Sequence, residues 1–303
     1  MKIAAPRKVK VSALHHPAIQ SLALPFMLAA AGVFILRALP GAAGLRWAPL
    51  GAVLGLLAAL AVLPGFDWPA TARAQKLPWI VLAGAALSVL SMARFSEGAR
   101  AGPGVAWLAA ALCWAGSSGW MAGGGASWVQ VAAIVLAGAL VLALLSWGGP
   151  LAVAALTVAA LGLTALAGSG GSLLLAQLAL MLATVTAVPG LWAWWRPSSG
   201  VTVTLAALMP LGLAGLSIAQ ALPAPSVAGS SRLALLALAL VVPPLLSRTA
   251  WAARHPRRAP LAVALLAAVP VALALAWQIG AGGPADVPGA ATDDDAYYTP
   301  QWQ

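Results

Sequence analysis

Charged residues are scarce in this sequence, and their scarcity excludes a soluble globular protein. Asp, Glu, Lys and Arg make up 7% of the 303 residues, whereas hydrophobic residues make up 62%. A typical soluble domain is charged at about a quarter of its positions. So few charged side chains cannot cover the surface of a globule in water. We therefore expect most of the chain to lie within a membrane.

Residues that bind metals or haem are also few. Cysteine occurs once, at Cys113, which excludes an intrachain disulfide and a cysteine-based metal site. The three histidines, His15, His16 and His255, stand near basic residues outside the apolar stretches. An intramembrane haem usually takes two histidines from within the bundle. The sequence therefore predicts neither a metal site nor a cofactor.

The apolar stretches contain no Asp, Glu, Lys, Arg or His, and asparagine is absent from the whole chain. Proton-coupled carriers place titratable groups inside the membrane, so coupling through a buried carboxylate is disfavoured. The one acidic cluster, Asp293–Asp295, lies near the C-terminal end, away from any span that would hold a magnesium diphosphate. No serine within the apolar stretches, nor Cys113, shares its stretch with a histidine or carboxylate that would activate it. We predict no catalytic residue.

Ten apolar stretches account for most of the chain. A helix needs about 20 residues to cross a hydrocarbon core of about 30 Å, and only 233–247 is clearly short. The stretches are apolar at every position instead of alternating, which favours helices over barrel strands. They cover 18–36, 48–65, 77–93, 104–122, 127–147, 151–168, 172–195, 201–222, 233–247 and 259–281.

The fold expected from this pattern is an all-α, polytopic transmembrane bundle over 18–281, without a soluble domain. Residues 1–17 form a basic segment before the bundle, and 282–303 form a tail with aspartates and aromatic residues. The first apolar run is too long for a signal peptide, so we expect it to remain as an uncleaved span. Small residues at helical spacing, such as Gly51 and Gly55, favour close helix packing.

The distribution of basic residues gives two topologies, because short cytoplasmic loops collect Lys and Arg. The basic N-terminal segment and the loop Arg248–Arg258 are both expected in the cytoplasm, and the acidic tail outside. Ten full crossings cannot satisfy all three. Nine crossings can, if 77–93 enters the membrane and returns on the same side. We predict nine crossings of the inner cell membrane with a cytoplasmic N-terminus and an outside C-terminus, with ten crossings as the alternative.

Neutral polar residues and prolines supply the candidate binding residues. Glutamine and threonine can hydrogen-bond across helices or line a path for a solute. Consecutive prolines interrupt a helix twice, and such breaks expose backbone groups that transporters use for binding. The candidate substrate-binding residues are Gln130 and Gln177, expected to be the deepest glutamines, with Thr184, Thr186, Pro243 and Pro244.

Two functions are favoured, and a third, a membrane enzyme that acts on lipid at the interface, stays open although the sequence shows no catalytic constellation for it. The span count, the broken helices and the buried polar residues favour a permease or exporter for a neutral or amphipathic small molecule or lipid. The lack of ionisable residues and the minimal loops favour a membrane-anchor or assembly subunit of a larger complex. The expected partners are membrane lipids, with other membrane subunits or a second copy of the chain as alternatives. A net charge of +10 does not indicate nucleic-acid binding, since the basic residues stand mostly at helix ends.

Overall fold

A computed structural model describes residues 19–94, 102–123, 127–195, 204–222 and 227–281. The predicted basic segment 1–17 and tail 282–303 lie outside the described residues. Within those ranges the secondary structure is helical, and no strand is found there. The all-α prediction is thus confirmed for the part of the chain that is described.

Thirteen α-helices follow one another along the described ranges. A π-helical turn, Ile19–Ala23, precedes the first, and short 3₁₀ turns lie at Gly149–Leu151 and Ala239–Val241. The helices are α1 Leu24–Arg37, α2 Ala42–Trp47, α3 Leu50–Val62, α4 Arg73–Arg94, α5 Gly102–Ala122, α6 Trp128–Gly148, α7 Ala152–Ser169, α8 Leu173–Trp195, α9 Leu205–Ala221, α10 Val227–Leu238, α11 Val242–Ser247, α12 Ala250–Arg254 and α13 Ala259–Ala281.

Six helical segments of the described chain are long and apolar enough to cross a membrane. One of them, Trp128–Ser169, has 42 residues and would measure about 63 Å if it were straight, roughly twice the hydrocarbon thickness. Gly149 interrupts it with φ +55° and ψ −140°, a conformation that glycine alone adopts readily. The segment is therefore two helices, α6 and α7. Three further apolar helices are shorter, at Leu50–Val62, Leu205–Ala221 and Ser231–Ser247.

The stretch 77–93 does not turn back on itself. It lies within α4, a continuous helix of 22 residues, or about 33 Å. Pro78 is the sixth residue of this helix and removes the hydrogen bond to the Ala74 carbonyl, but the helix continues through it to Arg94. The return of this stretch to its starting side, on which the nine-crossing topology depended, is absent from the structure.

Contacts between helices show in which direction each one runs. Arg73, at the start of α4, donates a hydrogen bond to the carbonyl of Gln220 near the end of α9, over 3.4 Å. Further along α4, Gly84 lies against Leu213 of α9. The two helices are therefore antiparallel. Similar pairs relate the other helices: Lys76–Trp120, Trp114–Ile134, Gly148–Pro243, Thr157–Thr186, Trp194–Arg257 and Arg232–Gln278.

Successive long helices consequently alternate in direction and share two ends. We call one the arginine end, because seven described arginines lie there: Arg37, Arg46, Arg94, Arg248, Arg254, Arg257 and Arg258. The other is the Gln220 end, which carries the described basic residues Arg73, Lys76 and Arg232. Helix α1 is antiparallel to α3, since Gly51 lies against Gly32 and Gly55 lies against Ala29, and α3 leads into α4. Both α1 and α13, the first and last described helices of the bundle, therefore have their outer termini at the Gln220 end.

Helix α9 lies at the centre of the bundle. It packs against α3, α4, α5, α6, α7 and α8, and every residue from Ala206 to Gly215 is buried. Burial on every side means that neighbouring helices, and not lipid, cover this part of α9. Polar groups on α9 therefore face other helices instead of lipid, and their partners can be read directly from the contacts.

Helix α10 begins before the apolar stretch that predicted it and so includes a basic residue, Arg232, at its sixth position. Arg232 was placed just before the stretch 233–247, but α10 begins at Val227 and includes it. Its guanidinium is half-buried and donates a hydrogen bond to the side-chain oxygen of Gln278 on α13. This pair joins α10 to α13 near the Gln220 end.

Candidate functional site

The two glutamines expected to be deepest both lie near helix starts. Gln130 is exposed at the first turn of α6, where its Oε1 accepts from the Ser127 amide over 3.1 Å. The Ser127 hydroxyl accepts in return from the Gln130 amide, which completes a capping box. Gln177 is half-buried in the second turn of α8. The structure thus gives Gln130 a helix-capping role at the Gln220 end, and the expected depth was wrong.

The two threonines are occupied by hydrogen bonds within the bundle. Thr184 donates back to the Leu180 carbonyl over 2.8 Å. Thr186 is fully buried, donates to the Leu182 carbonyl over 2.9 Å and accepts from the Thr157 hydroxyl over 3.0 Å. Thr157 is on α7, so this hydroxyl pair joins α7 to α8.

Pro243 and Pro244 lie at a break between α10 and α11, and residues of α6 pack against them. A 3₁₀ turn ends α10, and Pro243 and Pro244 begin α11, where a missing N–H leaves few bonds unmade. Both prolines are buried beside the end of α6: a Cβ added to Gly148 would lie 2.7 Å from the Pro243 Cβ. The six residues chosen from the sequence therefore lie at three separate places: the Gln220 end, the α7–α8 interface and the arginine end.

The structure instead brings together polar groups from the ends of α4, α5 and α9. The side-chain amide of Gln220 donates to the Ser118 carbonyl over 3.0 Å. The Lys76 ammonium donates to the Trp120 carbonyl over 2.7 Å. Arg73 donates to the Gln220 carbonyl, as described above. Three helices of the central group thus meet at Gln220.

Two polar atoms at this junction have no hydrogen-bond partner. The Ser217 hydroxyl belongs to a fully buried residue, and the Gln220 Oε1 atom is itself buried. The two residues are three positions apart on α9 and so share one helical face. Leaving a buried polar group unpaired costs about 1–3 kcal/mol, so such atoms usually have a partner, either another protein group or an ordered water. We call Ser217 and Gln220 the orphan pair.

A cluster of aromatic rings lies beside this junction. Trp79 contacts Phe66 edge to face at 5.3 Å between ring centroids, and Trp68 at 5.9 Å. Trp68 also lies 6.4 Å from Trp120, whose ring carries the Lys76 ammonium at 5.4 Å from its centroid. Trp68 is 74% exposed, so the cluster reaches the surface of the bundle. A cation over an indole ring is attracted by its negative face.

Gln220 was not among the candidate binding residues predicted from the sequence. Its importance comes from Ser118, Arg73 and Lys76, which are far away in the chain. One local signal was present: Ser217 and Gln220 share a helical face at the end of an apolar stretch. That signal does not distinguish a site from ordinary helix packing until the missing partners are seen.

No protein-family model matches this chain, and no curated protein is similar to it in sequence. The described residues contain no group of three His, Cys, Asp or Glu side chains that could hold a metal ion. The functional interpretation therefore depends on the geometry of the orphan pair and its surroundings.

Proposed function

We propose that this protein is a multi-pass permease of the inner cell membrane that moves a neutral or amphipathic small molecule or lipid. The observation that supports this proposal is the orphan pair at the end of the central helix, beside an aromatic cluster that reaches the surface. Because α9 contacts six other helices, a solute bound at its end could shift the positions of most helices in the bundle.

The chemistry of the junction suggests what the solute presents. Gln220 Oε1 is an acceptor and needs an N–H or O–H donor, and the Ser217 hydroxyl can donate or accept. The rings of Trp68 and Trp120 offer apolar surface to the rest of the molecule. Among the described residues, only Asp67 carries a side-chain carboxylate, and Asp67 is exposed. A neutral or amphipathic solute with a hydrogen-bond donor fits these groups best.

Transport is tested by comparing small molecules inside and outside cells that produce the wild-type chain, Gln220→Leu or Gln130→Ala. Solutes moved by the wild type are expected to be moved about 5- to 150-fold more slowly by Gln220→Leu, since one buried hydrogen bond is worth roughly 1–3 kcal/mol. Gln130→Ala, which changes only an exposed helix cap, serves as the matched control.

The alternative function predicts a different outcome. If wild-type and non-producing cells show the same solutes, and the protein purifies in fixed ratio with another membrane protein, the assembly-subunit function replaces the permease. A solute that responds equally to Gln220→Leu and Gln130→Ala would separate transport from the orphan pair.

We also propose ten membrane crossings, with both termini on the outside. The alternating helix directions support an even number, because α1 begins and α13 ends at the Gln220 end. The arginine end carries seven described basic residues and the Gln220 end three. Assigning every basic residue of the sequence by its place between the spans, including the four in 1–17, gives nine against seven, which still favours a cytoplasmic arginine end. This proposal keeps the outside C-terminus predicted from the sequence and moves the N-terminus to the same side.

Single cysteines in a Cys113→Ala background test this topology. Ala72→Cys lies at the Gln220 end, Ala253→Cys at the arginine end, and Ala296→Cys in the C-terminal tail; the first two positions are exposed. A membrane-impermeant maleimide added to intact cells is expected to label positions 72 and 296 but not 253. Labelling of position 296 without position 72 would instead support nine crossings.

A further inference from the structure

The loop between α11 and α13 concentrates positive charge at the arginine end. Four of its residues are arginines, Arg248, Arg254, Arg257 and Arg258, and His255 stands among them. Three of the arginines, with His255 and Pro256, line a shallow open depression. Asp67, at the opposite end of the bundle, is the only Asp or Glu among the described residues. No carboxylate from the described chain therefore neutralises this charge.

The backbone of this loop is held in place by hydrogen bonds. Thr249 caps α12 by accepting from the Ala252 amide over 3.3 Å. The carbonyl of His255 then accepts from the amides of Arg258 and Ala259, over 3.0 and 2.9 Å. These bonds fix the backbone of the turn that carries the arginine side chains.

A second element anchors the turn to the bundle. The indole N–H of Trp194, near the end of α8, donates to the Arg257 carbonyl over 3.1 Å. The His255 ring stacks on Trp251, with 5.3 Å between centroids and 28° between planes. The position of the arginines is thus determined by α8 as well as by their own loop.

The tryptophans place the depression at the level of the lipid headgroups. Trp194 and Trp251, which both contact the turn, are 44% and 41% exposed. Exposed tryptophan concentrates at the membrane–water interface because its ring is apolar and its N–H is polar. Arginine binds phosphate oxygens in pairs through its planar fork.

We propose that the turn Arg254–Arg258 is a binding site for the phosphate headgroup of an anionic phospholipid. Charge complementarity and depth in the membrane both favour this ligand, since the site faces the layer in which such phosphates are most concentrated. The proposal goes beyond transport and does not depend on it. A lipid held here would stabilise the α8–α13 corner of the bundle.

The test uses the purified full-length protein in detergent with an equimolar mixture of phosphatidylglycerol and phosphatidylcholine, and counts bound lipids by native mass spectrometry. The wild type is expected to retain phosphatidylglycerol preferentially. Arg254→Gln with Arg257→Gln should reduce that preference at least about tenfold, because each basic residue near the headgroups contributes roughly a fivefold factor. Arg94→Gln with Arg248→Gln removes the same charge from the same end, outside the depression, and should retain most of the preference.

Two results would overturn the proposal. Equal loss in both double variants would mean that charge at this end attracts lipid without a defined site. Displacement of bound phosphatidylglycerol by excess inorganic phosphate, with phosphate retained on the protein, would identify a free anion as the ligand. Arg254→Lys with Arg257→Lys keeps the charge but loses the paired geometry. Its preference for phosphatidylglycerol is expected to lie between those of the wild type and the double glutamine variant. Gel filtration confirms that each variant remains folded.

Discussion

Replacing Gly51 with alanine is expected to lower the free energy of unfolding by about 3 kcal/mol, the upper part of the range for overpacked sites. Helices α1 and α3 approach each other so closely at this point that their backbones touch. A Cβ on Gly51 would lie 2.6 Å from the Val33 Cα, and one on Gly55 would lie 2.5 Å from the Ala29 Cα. Main-chain atoms cannot rotate aside, so the two helices would have to separate.

The same helix pair illustrates how membrane helices associate. Lipid tails are as apolar as the helix surfaces, so contact between backbones contributes where the hydrophobic effect does not. A single methyl group at Gly51 would remove this contact along part of α1, which also packs against α8. Larger side chains at this position, such as leucine, should prevent accumulation of the folded protein.

Gly116→Ala is the matched control for Gly51→Ala. Gly116 lies within α5, and a Cβ added there would meet nothing within 4 Å. Alanine at that position should be neutral or stabilising by about 0.5–1 kcal/mol, from helix propensity alone. Stability is measured as the midpoint of thermal unfolding in detergent. Equal midpoints for the two variants would show that α1 and α3 are not in backbone contact.

Trp114→Ala should destabilise the protein by about 3–5 kcal/mol, through the cavity that it leaves between α5 and α6. The Trp114 side chain is 2% exposed, and its N–H donates to the Ile134 carbonyl over 3.1 Å. The indole lies on Gly138, where an added Cβ would be 2.6 Å from the Trp114 Cδ1. Removing the ring therefore leaves both an empty space and a lost hydrogen bond.

Trp107→Ala provides the comparison, because Trp107 is on the same face of α5 and also donates to a carbonyl of α6, that of Ala139, over 3.2 Å. Trp107 is only half-buried, so its replacement should have a smaller effect. A second check is the double variant Trp114→Ala with Gly138→Leu. Leucine alone at position 138 would clash with the indole, but in the double variant it should fill the cavity and recover part of the lost stability. Additive losses in the double variant would contradict the packing described here.

The prediction of a membrane protein depended on features that are local in the chain. Span-length apolar runs without charge specify membrane helices wherever they occur, since a backbone in lipid must satisfy its own hydrogen bonds. The stretch 104–122 corresponds closely to α5, Gly102–Ala122. The stretch 77–93 corresponds to α4, but its flanking basic residues suggested a return that the helix does not make. Loop charge is a statistical property of many proteins and does not determine the path of one helix.

The choice among similar polar residues was not local. Gln130 and Gln220 are the same amino acid at the edge of similar apolar stretches. Gln130 follows Ser127 by three residues, and together they cap a helix. This spacing can be recognised in the sequence alone. Gln220 is significant because α4 and α5 place Arg73, Lys76 and Ser118 beside it. Those residues are distant in the chain, so only helix packing could bring them together.

The sequence by itself determined that this is a helical membrane protein, because the period, length and charge of each apolar stretch are properties of neighbouring residues. It also indicated small residues at helical spacing, including Gly51 and Gly55, without indicating their partners. The tertiary structure decided which helix lies at the centre, which glycines touch a backbone and which polar atoms remain unpaired. In lipid, many pairings of apolar helices have similar energies, so the arrangement depends on close steric fit between particular faces. That fit is a property of helix pairs, and no single stretch of the chain contains it.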